Sequence, residues 1–350
     1  MSAVLSPSLV SSPAAPPLLD VRDLVVRFDA MTGGFDVVRH VSFSLEAGRT
    51  LCLVGESGSG KSMTALALLR LIPPPGRIAG GSVLLAGEDL ATLGEAEMRR
   101  IRGGRVGMIF QEPMTSLNPV LRVGDQAAEP LIWHWKLPRR QALERVEDLF
   151  RQVGIPAPRA RLREYPHQLS GGMRQRVMIA MALACEPAVL LADEPTTALD
   201  VTIQGQILAL LKRLSAERGL GLVLITHDLG VVAETADEVC VMYAGGIVER
   251  ASAADLFARP LHPYTEGLMR CAPALDDPGK SDATENGTPR VRLDAIPGAP
   301  PSADALPEGC PFRPRCRSAH ERCLDPPPDV TIQGGRGPRR VRCWLHAPSA

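Results

Sequence analysis

Residues Gly55-Glu56-Ser57-Gly58-Ser59-Gly60-Lys61-Ser62 follow the spacing G-x-x-x-x-G-K-S, which suits the holding of phosphate. Glycines let the backbone wrap closely, so successive N–H groups can point at phosphate oxygens. A helix starting there adds its positive N-terminal end. Lys61 is then expected to reach the β- and γ-phosphates of a nucleotide, and the Ser62 hydroxyl to ligate Mg²⁺. A second pair, Asp193 and Glu194, closes the apolar run 189–192. Acids at the end of a buried strand are costly unless they have work to do. Asp193 is placed to hold the Mg²⁺ hydration shell, and Glu194 to polarise an attacking water. A third segment, Leu169-Ser170-Gly171-Gly172-Met173, precedes a helical run. A serine and two glycines opening a helix make another anion-binding terminus. One nucleotide needs one cradle, so two in a chain point to a site shared between two copies.

The elements that must position these residues are legible nearby. Residues 18–54 alternate apolar and polar, with Val41, Phe43 and Leu45 on one face and Ser42 and Ser44 on the other. That is a period of two, the mark of strands. The run ends at Gly55 and is followed, past the glycine-rich loop, by the helical pattern MTALALLRLI. Strand, loop and helix is the order a phosphate loop requires. GSVLLAGEDL and VGMIF are further short strand candidates, and 123–184 reads mostly helical, QALERVEDLFRQVGI being clearly amphipathic. AVLLADE and GLVLITHD are continuous apolar runs, as strands covered on both faces of a parallel sheet are. QILALLKRLSAERG, between them, reads as a helix stopped by glycine. The fold class is therefore α/β, with a helical insertion.

The chain has 350 residues, 45% hydrophobic and 22% charged, with 39 basic and 39 acidic side chains. That is room for one large or two modest domains. Zero net charge argues against a dedicated nucleic-acid binder and supplies no global field toward anionic lipid. No apolar run reaches the roughly 18 residues of a spanning helix. The N-terminal stretch 1–17 lacks a basic n-region and reads as a disordered tail rather than a signal peptide, so a cytosolic location is expected. From about Cys271 onward Pro and Gly become dense and periodicity fades; little core is expected there.

Taken together, the motifs resemble those of the ATP-binding cassette (ABC) ATPases, P-loop enzymes with a RecA-like core and a helical subdomain. Residues 55–62 resemble Walker A, and Gln111, after VGMIF, the Q-loop glutamine. Residues 169–173 resemble the signature, with Met173 where Gln is frequent. Asp193 and Glu194 resemble the Walker B acid and catalytic glutamate. Ala198-Leu199-Asp200 resembles the D-loop, His227 the switch histidine, and Phe28 the adenine-stacking aromatic. The resemblance covers roughly 18–268, with the helical subdomain at about 112–182. It implies catalytic Glu194, His227 and Gln111. It implies nucleotide contacts from Phe28, Gly55, Glu56, Ser57, Gly58, Ser59, Gly60, Lys61 and Ser62, and across a dimer from Ser170, Gly171, Gly172 and Asp200. Mg²⁺ falls to Ser62, Gln111 and Asp193.

The stretch Gln111-Glu112-Pro113-Met114-Thr115-Ser116-Leu117-Asn118-Pro119, the motif Leu261-His262-Pro263-Tyr264-Thr265 and the Cys-rich end resemble the oligopeptide/dipeptide importer ATPases. That implies a subunit hydrolysing ATP to power peptide uptake, with a nickel chelate or glutathione as other solutes of the group. The partners implied are a second ABC ATPase subunit (identical or paralogous), two transmembrane permease subunits and an extracytoplasmic solute-binding protein. The place implied is peripheral, on the cytoplasmic face of the inner membrane. A soluble ABC ATPase of DNA repair or translation usually carries two cassettes or a long insertion; this sequence has neither.

Eight cysteines are unevenly spread, with Cys310, Cys316, Cys323 and Cys343 crowded into 269–350. Crowding in a reducing compartment suggests metal before disulfides. Four thiolates can hold zinc or an iron–sulfur cluster. The intervals are longer than the close pairs of structural zinc sites and do not match the common ferredoxin run. The family resemblance implies a [4Fe–4S] cluster, with Zn²⁺ or no metal as alternatives. Residues 310–346 carry eight arginines against three acids, which reads as a solvated basic face, with a docking surface for a partner or anionic lipid as the alternative. Cys52, Cys185, Cys240 and Cys271 read as small buried hydrophobes.

Overall fold

A computed structural model of the chain describes residues 16–29, 33–111, 116–197, 199–271, 295–333 and 335–348. The expected N-terminal tail falls outside them except at 16–17, as do residues 112–115 of the Q-loop segment and Ala198.

The alternating segment forms β1 (Leu19–Phe28) and β2 (Phe35–Leu45), an antiparallel pair. Val41, Phe43 and Leu45 are at most 2% exposed, so the polar–apolar period does set the inward face. With β4 (Gly76–Leu85) and β5 (Glu88–Asp89) they make a four-stranded antiparallel sheet.

The continuous apolar runs form the second sheet. β6 (Val106–Ile109), β7 (Val189–Asp193), β8 (Gly221–Thr226), β3 (Thr50–Val54) and β9 (Glu238–Tyr243) run parallel in that spatial order. Every residue of β3, β7 and β8 is buried, because both faces are covered. Cys52, Val54, Leu190 and Ala192 face the core built with the helices. Leu51, Leu53, Val189 and Leu191 face the core shared with the antiparallel sheet and α1 (Lys61–Leu68). A short helix α2 (Glu95–Ile101) precedes β6.

The expected helical stretch contains α3 (Val123–His134), α4 (Arg139–Gln152), α5 (Pro158–Arg161) and α6 (Gly171–Leu183). In α4 the buried residues are Ala142, Val146, Leu149 and Phe150, a single stripe of helical period. Helix α7 (Val201–Arg218) stops at Gly219, which takes the left-handed conformation at φ 64°. Helices α8 (Leu229–Thr235), α9 (Ala253–Ala258) and α10 (Pro263–Cys271) follow.

The C-terminal residues depart from expectation. β11 (Asp329–Ile332) and β12 (Arg339–Arg342) form a hairpin, and β12 pairs with β10 (Gly246–Ser252). The hairpin thereby extends the main sheet to eight strands. Phe312, Cys323, Val341 and Cys343 are buried. A segment poor in core-forming residues is ordered by borrowing the apolar surface of the sheet it joins. Among the described residues no helix is long and apolar enough to cross a membrane.

Candidate functional site

The phosphate loop leaves the carboxyl end of β3, where ligands of open α/β sheets gather. Gly55 has φ 152°, and a Cβ there would lie 2.2 Å from the Met242 carbonyl oxygen. Gly60 has φ 99°, with a Cβ position 2.9 Å from the Val37 oxygen. Neither place admits a side chain, so these two glycines are dictated by the loop's path. Gly60 caps α1 with no side-chain bond, leaving the first N–H groups of the helix available to an anion. Lys61 is 6% exposed. Its Nζ donates to the Gly55 and Glu56 carbonyls at 2.8 and 2.9 Å, curled into the hollow of its own loop. Burial pushes the Lys61 pKa down, and the nearby Glu194, Asp193 and Glu56 oppose that push.

The sheet order brings the rest of the machinery alongside. Ser62 Oγ donates to Asp193 Oδ1 at 3.0 Å. Burial raises the Asp193 pKa, partly countered by that hydrogen bond. Glu194 follows β7 with φ 45°, a left-handed conformation that strains a non-glycine residue. Its carboxylate accepts from Gln111 Nε2 at 3.0 Å and Thr197 Oγ1 at 2.9 Å, and faces His227 Nδ1 at 3.0 Å. Burial would raise its pKa. The hydrogen bonds from His227 and Thr197, with the charges of His227 and Lys61, outweigh burial and hold it below the ordinary value. Gln111, Glu194 and His227 converge because β6, β7 and β8 are neighbours. Thr197 was not singled out by sequence; its turn back onto Glu194, with Thr197 N donating to Glu194 O at 3.2 Å, is a short-range signal in the run after the acid pair.

Ser170 caps α6, accepting from Met173 N at 3.4 Å. Asp200 caps α7, accepting from Ile203 N at 2.9 Å. A Cβ on Gly172 would meet Ile203 Cγ2 at 2.9 Å, and one on Gly171 would lie 3.7 Å from Leu199 Cδ2. The two helix starts are thus packed together. Ser170, Gly171 and Asp200 are exposed, and Val201 beside them is 86% exposed. Phe28 stacks on Phe35 with ring centroids 6.1 Å apart and packs on Gly76; these are the neighbours the structure gives its ring.

One set of contacts was not foreseen. The Glu56 N–H donates to Tyr264 Oη at 2.8 Å. Arg315 grips the Glu56 carboxylate with both terminal nitrogens, at 2.7 and 3.0 Å, while its Nε donates to the Pro297 carbonyl at 2.8 Å. Tyr243, Tyr264 and Phe312 pack around it, with centroids 4.6 to 5.3 Å apart. No periodicity connects residues 259 positions apart. The pair also narrows the reading of the basic tail as a solvated face, which holds for the exposed Arg317, Arg322, Arg336 and Arg340 but not for two others. Arg315 and Arg339 are 7% exposed, each turned inward to a carboxylate of the cassette.

Cys310, Cys316, Cys323 and Cys343 line one small cavity together with His262, Phe312 and Trp344. Backbone N–H groups of Phe312 and Arg313 point at Cys310, that of Ser318 at Cys316 and that of Leu345 at Cys343. Burial, with the neighbouring thiols, pushes the Cys343 pKa to about 11. As the side chains lie, no group of three or more His, Cys, Asp or Glu among the described residues is spaced to hold a metal ion. Cys52, Cys185 and Cys240 are buried as expected, whereas Cys271, at the end of α10, is only half-buried. A larger cleft, about 1040 Å³, lies at the opposite ends of β3 and β9 beside Thr50 and Glu238, away from the phosphate loop.

Residues 38–197 match the family described as ABC transporter, and 248–323 the one described as oligopeptide/dipeptide transporter, C-terminal region. A putative peptide import ATP-binding protein of Brucella ovis is 50% identical, with 93% of this chain and 97% of that protein covered. The oligopeptide transport ATP-binding protein AppD of Bacillus subtilis is 48% identical over 94% of this chain and 97% of its own. OppD of Escherichia coli is 48% identical over 91% of each. Among solved structures, the dimeric MJ0796, titled a bacterial ABC transporter cassette, superimposes with a TM-score of 0.61 at 26% identity, covering 67% of this chain and 98% of that one.

Proposed function

The chain belongs to the ABC transporter ATPases, among the peptide import ATP-binding proteins, and on that footing we propose that it binds and hydrolyses ATP to power uptake of di- or oligopeptides. The observation that carries this is the convergence of Lys61 and Ser62 with Asp193 and Glu194, the latter met by Gln111 and His227.

When ATP arrives, Lys61 exchanges the Gly55 and Glu56 carbonyls for the β- and γ-phosphates. The oxygens of Ser62, Asp193 and Gln111 suit Mg²⁺, a hard cation that takes few protein ligands and several from water and phosphate. Held by those oxygens, Mg²⁺ would supply positive charge against that developing on the transferred phosphoryl group. Glu194, ionised because its pKa is depressed, accepts the proton of the attacking water. His227 steadies both that carboxylate and the γ-phosphate. Ser170, Gly171 and Asp200, exposed, with the half-buried Gly172 between them, face the nucleotide of a second ATPase subunit; Ser57, Gly58 and Ser59 wrap the phosphates, Glu56 being held from outside by Tyr264 and Arg315, and Phe28 stacks on the adenine.

Residues 18–268 form the nucleotide-binding domain, with its helical subdomain at about 112–182, and 269–350 the Cys-rich C-terminal domain. Val120, Leu121 and Trp133, exposed at 75, 46 and 56%, give the helical subdomain an apolar surface for membrane permease subunits. Through them the chain sits peripherally at the cytoplasmic face, while a separate solute-binding protein selects the peptide. Cys310, Cys316, Cys323 and Cys343, with backbone N–H groups aimed at three of the sulfurs, are the ligands a [4Fe–4S] cluster would draw together from where they now lie; their long spacing along the chain favours it over zinc.

Glu194→Gln tests the central assignment. It should lower ATP turnover by about 10²- to 10⁴-fold while the protein still binds ATP and accumulates as an ATP-bound dimer. Unchanged hydrolysis would remove Glu194 from the role.

A further inference from the structure

Glu56 is the second residue of the phosphate loop, and neither end of it is free. Its N–H is taken by Tyr264 Oη. Its carboxylate is held by a two-pronged arginine that is itself fixed at a third point, the Pro297 carbonyl. The guanidinium also lies 5.8 Å from the Tyr243 ring centre. A planar fork held at this many points is rigid. Arg315 ends a short 3-10 turn, Arg313–Arg315, bounded by Cys316 and closed by Arg313 N donating to Cys310 O at 3.0 Å. The arginine's position thus depends on how two of the four cavity cysteines are held. Tyr264 connects the same places by another route, since its N–H donates to Nδ1 of His262, which lines the cysteine cavity.

We propose that Arg315 is a positioning residue for the ATP site, pinning and neutralising Glu56 so that the C-terminal region sets the affinity of the phosphate loop for nucleotide. The inference rests on the assignment of that loop to ATP. Two effects act in one direction. Without Arg315 the loop loses its outer anchor, and an unpaired carboxylate is left beside the site of a triphosphate. The second effect makes the inference separable from a purely structural strut, because removing the charge of Glu56 should then repair much of the damage.

The experiment measures the dissociation constant of a fluorescent ATP analogue, and KM and kcat for ATP, on the full chain. Wild type should bind the analogue and Lys61→Ala should not; failure of wild type to bind would overturn the ATP assignment and this inference together. Arg315→Ala should weaken binding and raise KM about tenfold, with kcat at saturating ATP within about twofold of wild type. Arg315→Ala with Glu56→Gln should recover most of the lost affinity. Arg315→Lys, which keeps the charge but loses the fork, should fall between wild type and Arg315→Ala, and carries the test if the alanine variant does not fold. Unchanged affinity in Arg315→Lys and Arg315→Ala, with only the melting temperature lowered, would overturn the proposal. So would a double variant that binds no better than Arg315→Ala alone.

Discussion

Glu249 and Arg339 form an ion pair at 3.0 Å between β10 and β12, with the carboxylate fully buried and the arginine side chain 9% exposed. The carboxylate also accepts the N–H groups of Leu261 and His262 at 2.9 and 2.8 Å. A buried charge is tolerable when satisfied in this way and costly when its partner is removed. Arg339→Leu should therefore destabilise the protein by about 3–5 kcal/mol. Adding Glu249→Gln, which keeps an acceptor but removes the charge, should give back part of that loss. Equilibrium denaturation of the two variants decides it; equal stabilities would show that the pair is not the joint.

Glu194 predicts a pH dependence. Burial, the largest influence, would raise its folded pKa, but the His227 and Thr197 hydrogen bonds, with the charges of His227 and Lys61, together hold it depressed. A depressed carboxylate contributes stability that is present above its unfolded pKa and is lost as pH falls through the folded one. The base is competent over the same range, so the acid limb of kcat assigned to Glu194 should lie below the ordinary glutamate value. His227→Ala should move that limb upward as well as lowering kcat. A limb that stays in place would mean that His227 does not set the ionisation of Glu194.

Two glycines should respond in opposite directions to the same substitution. Gly55→Ala places a methyl 2.2 Å from the Met242 oxygen at φ 152°; it should cost about 1–3 kcal/mol and abolish ATP binding. Gly205 lies within α7 with nothing within 4 Å of its Cβ position. Gly205→Ala should stabilise by about 0.5–1 kcal/mol through reduced freedom of the unfolded chain. Thermal melting and nucleotide titration of both variants check the contrast.

Protein purified without oxygen should be coloured and contain about four iron and four sulfide per chain, as a [4Fe–4S] cluster requires. Cys343→Ser should lose iron, and a chelator that strips it should lower the melting temperature. A colourless, iron-free protein with intact cysteines would dispose of the cluster.

Much of the site is legible in the sequence because phosphate chemistry is local. The loop from Gly55 to Ser62, the acids ending β7 and the capped start of α6 each work through backbone geometry within a few residues, so residue type and spacing suffice to find them. The α/β class is legible for the same reason, since β7 and β8 are continuous apolar runs and β1 and β2 alternate. The tertiary structure alone decided which segments meet. The order of β6, β7 and β8 puts Gln111 and His227 on the carboxylate of Glu194. The pairing of β12 with β10 turns a Pro- and Gly-rich tail into part of the sheet. Arg315 reaches Glu56, and His262 joins the crowded cysteines in one cavity, through contacts between segments far apart in the chain. Such contacts leave no period or spacing in a sequence. They are fixed by which apolar faces cover one another, and only the folded chain carries that information.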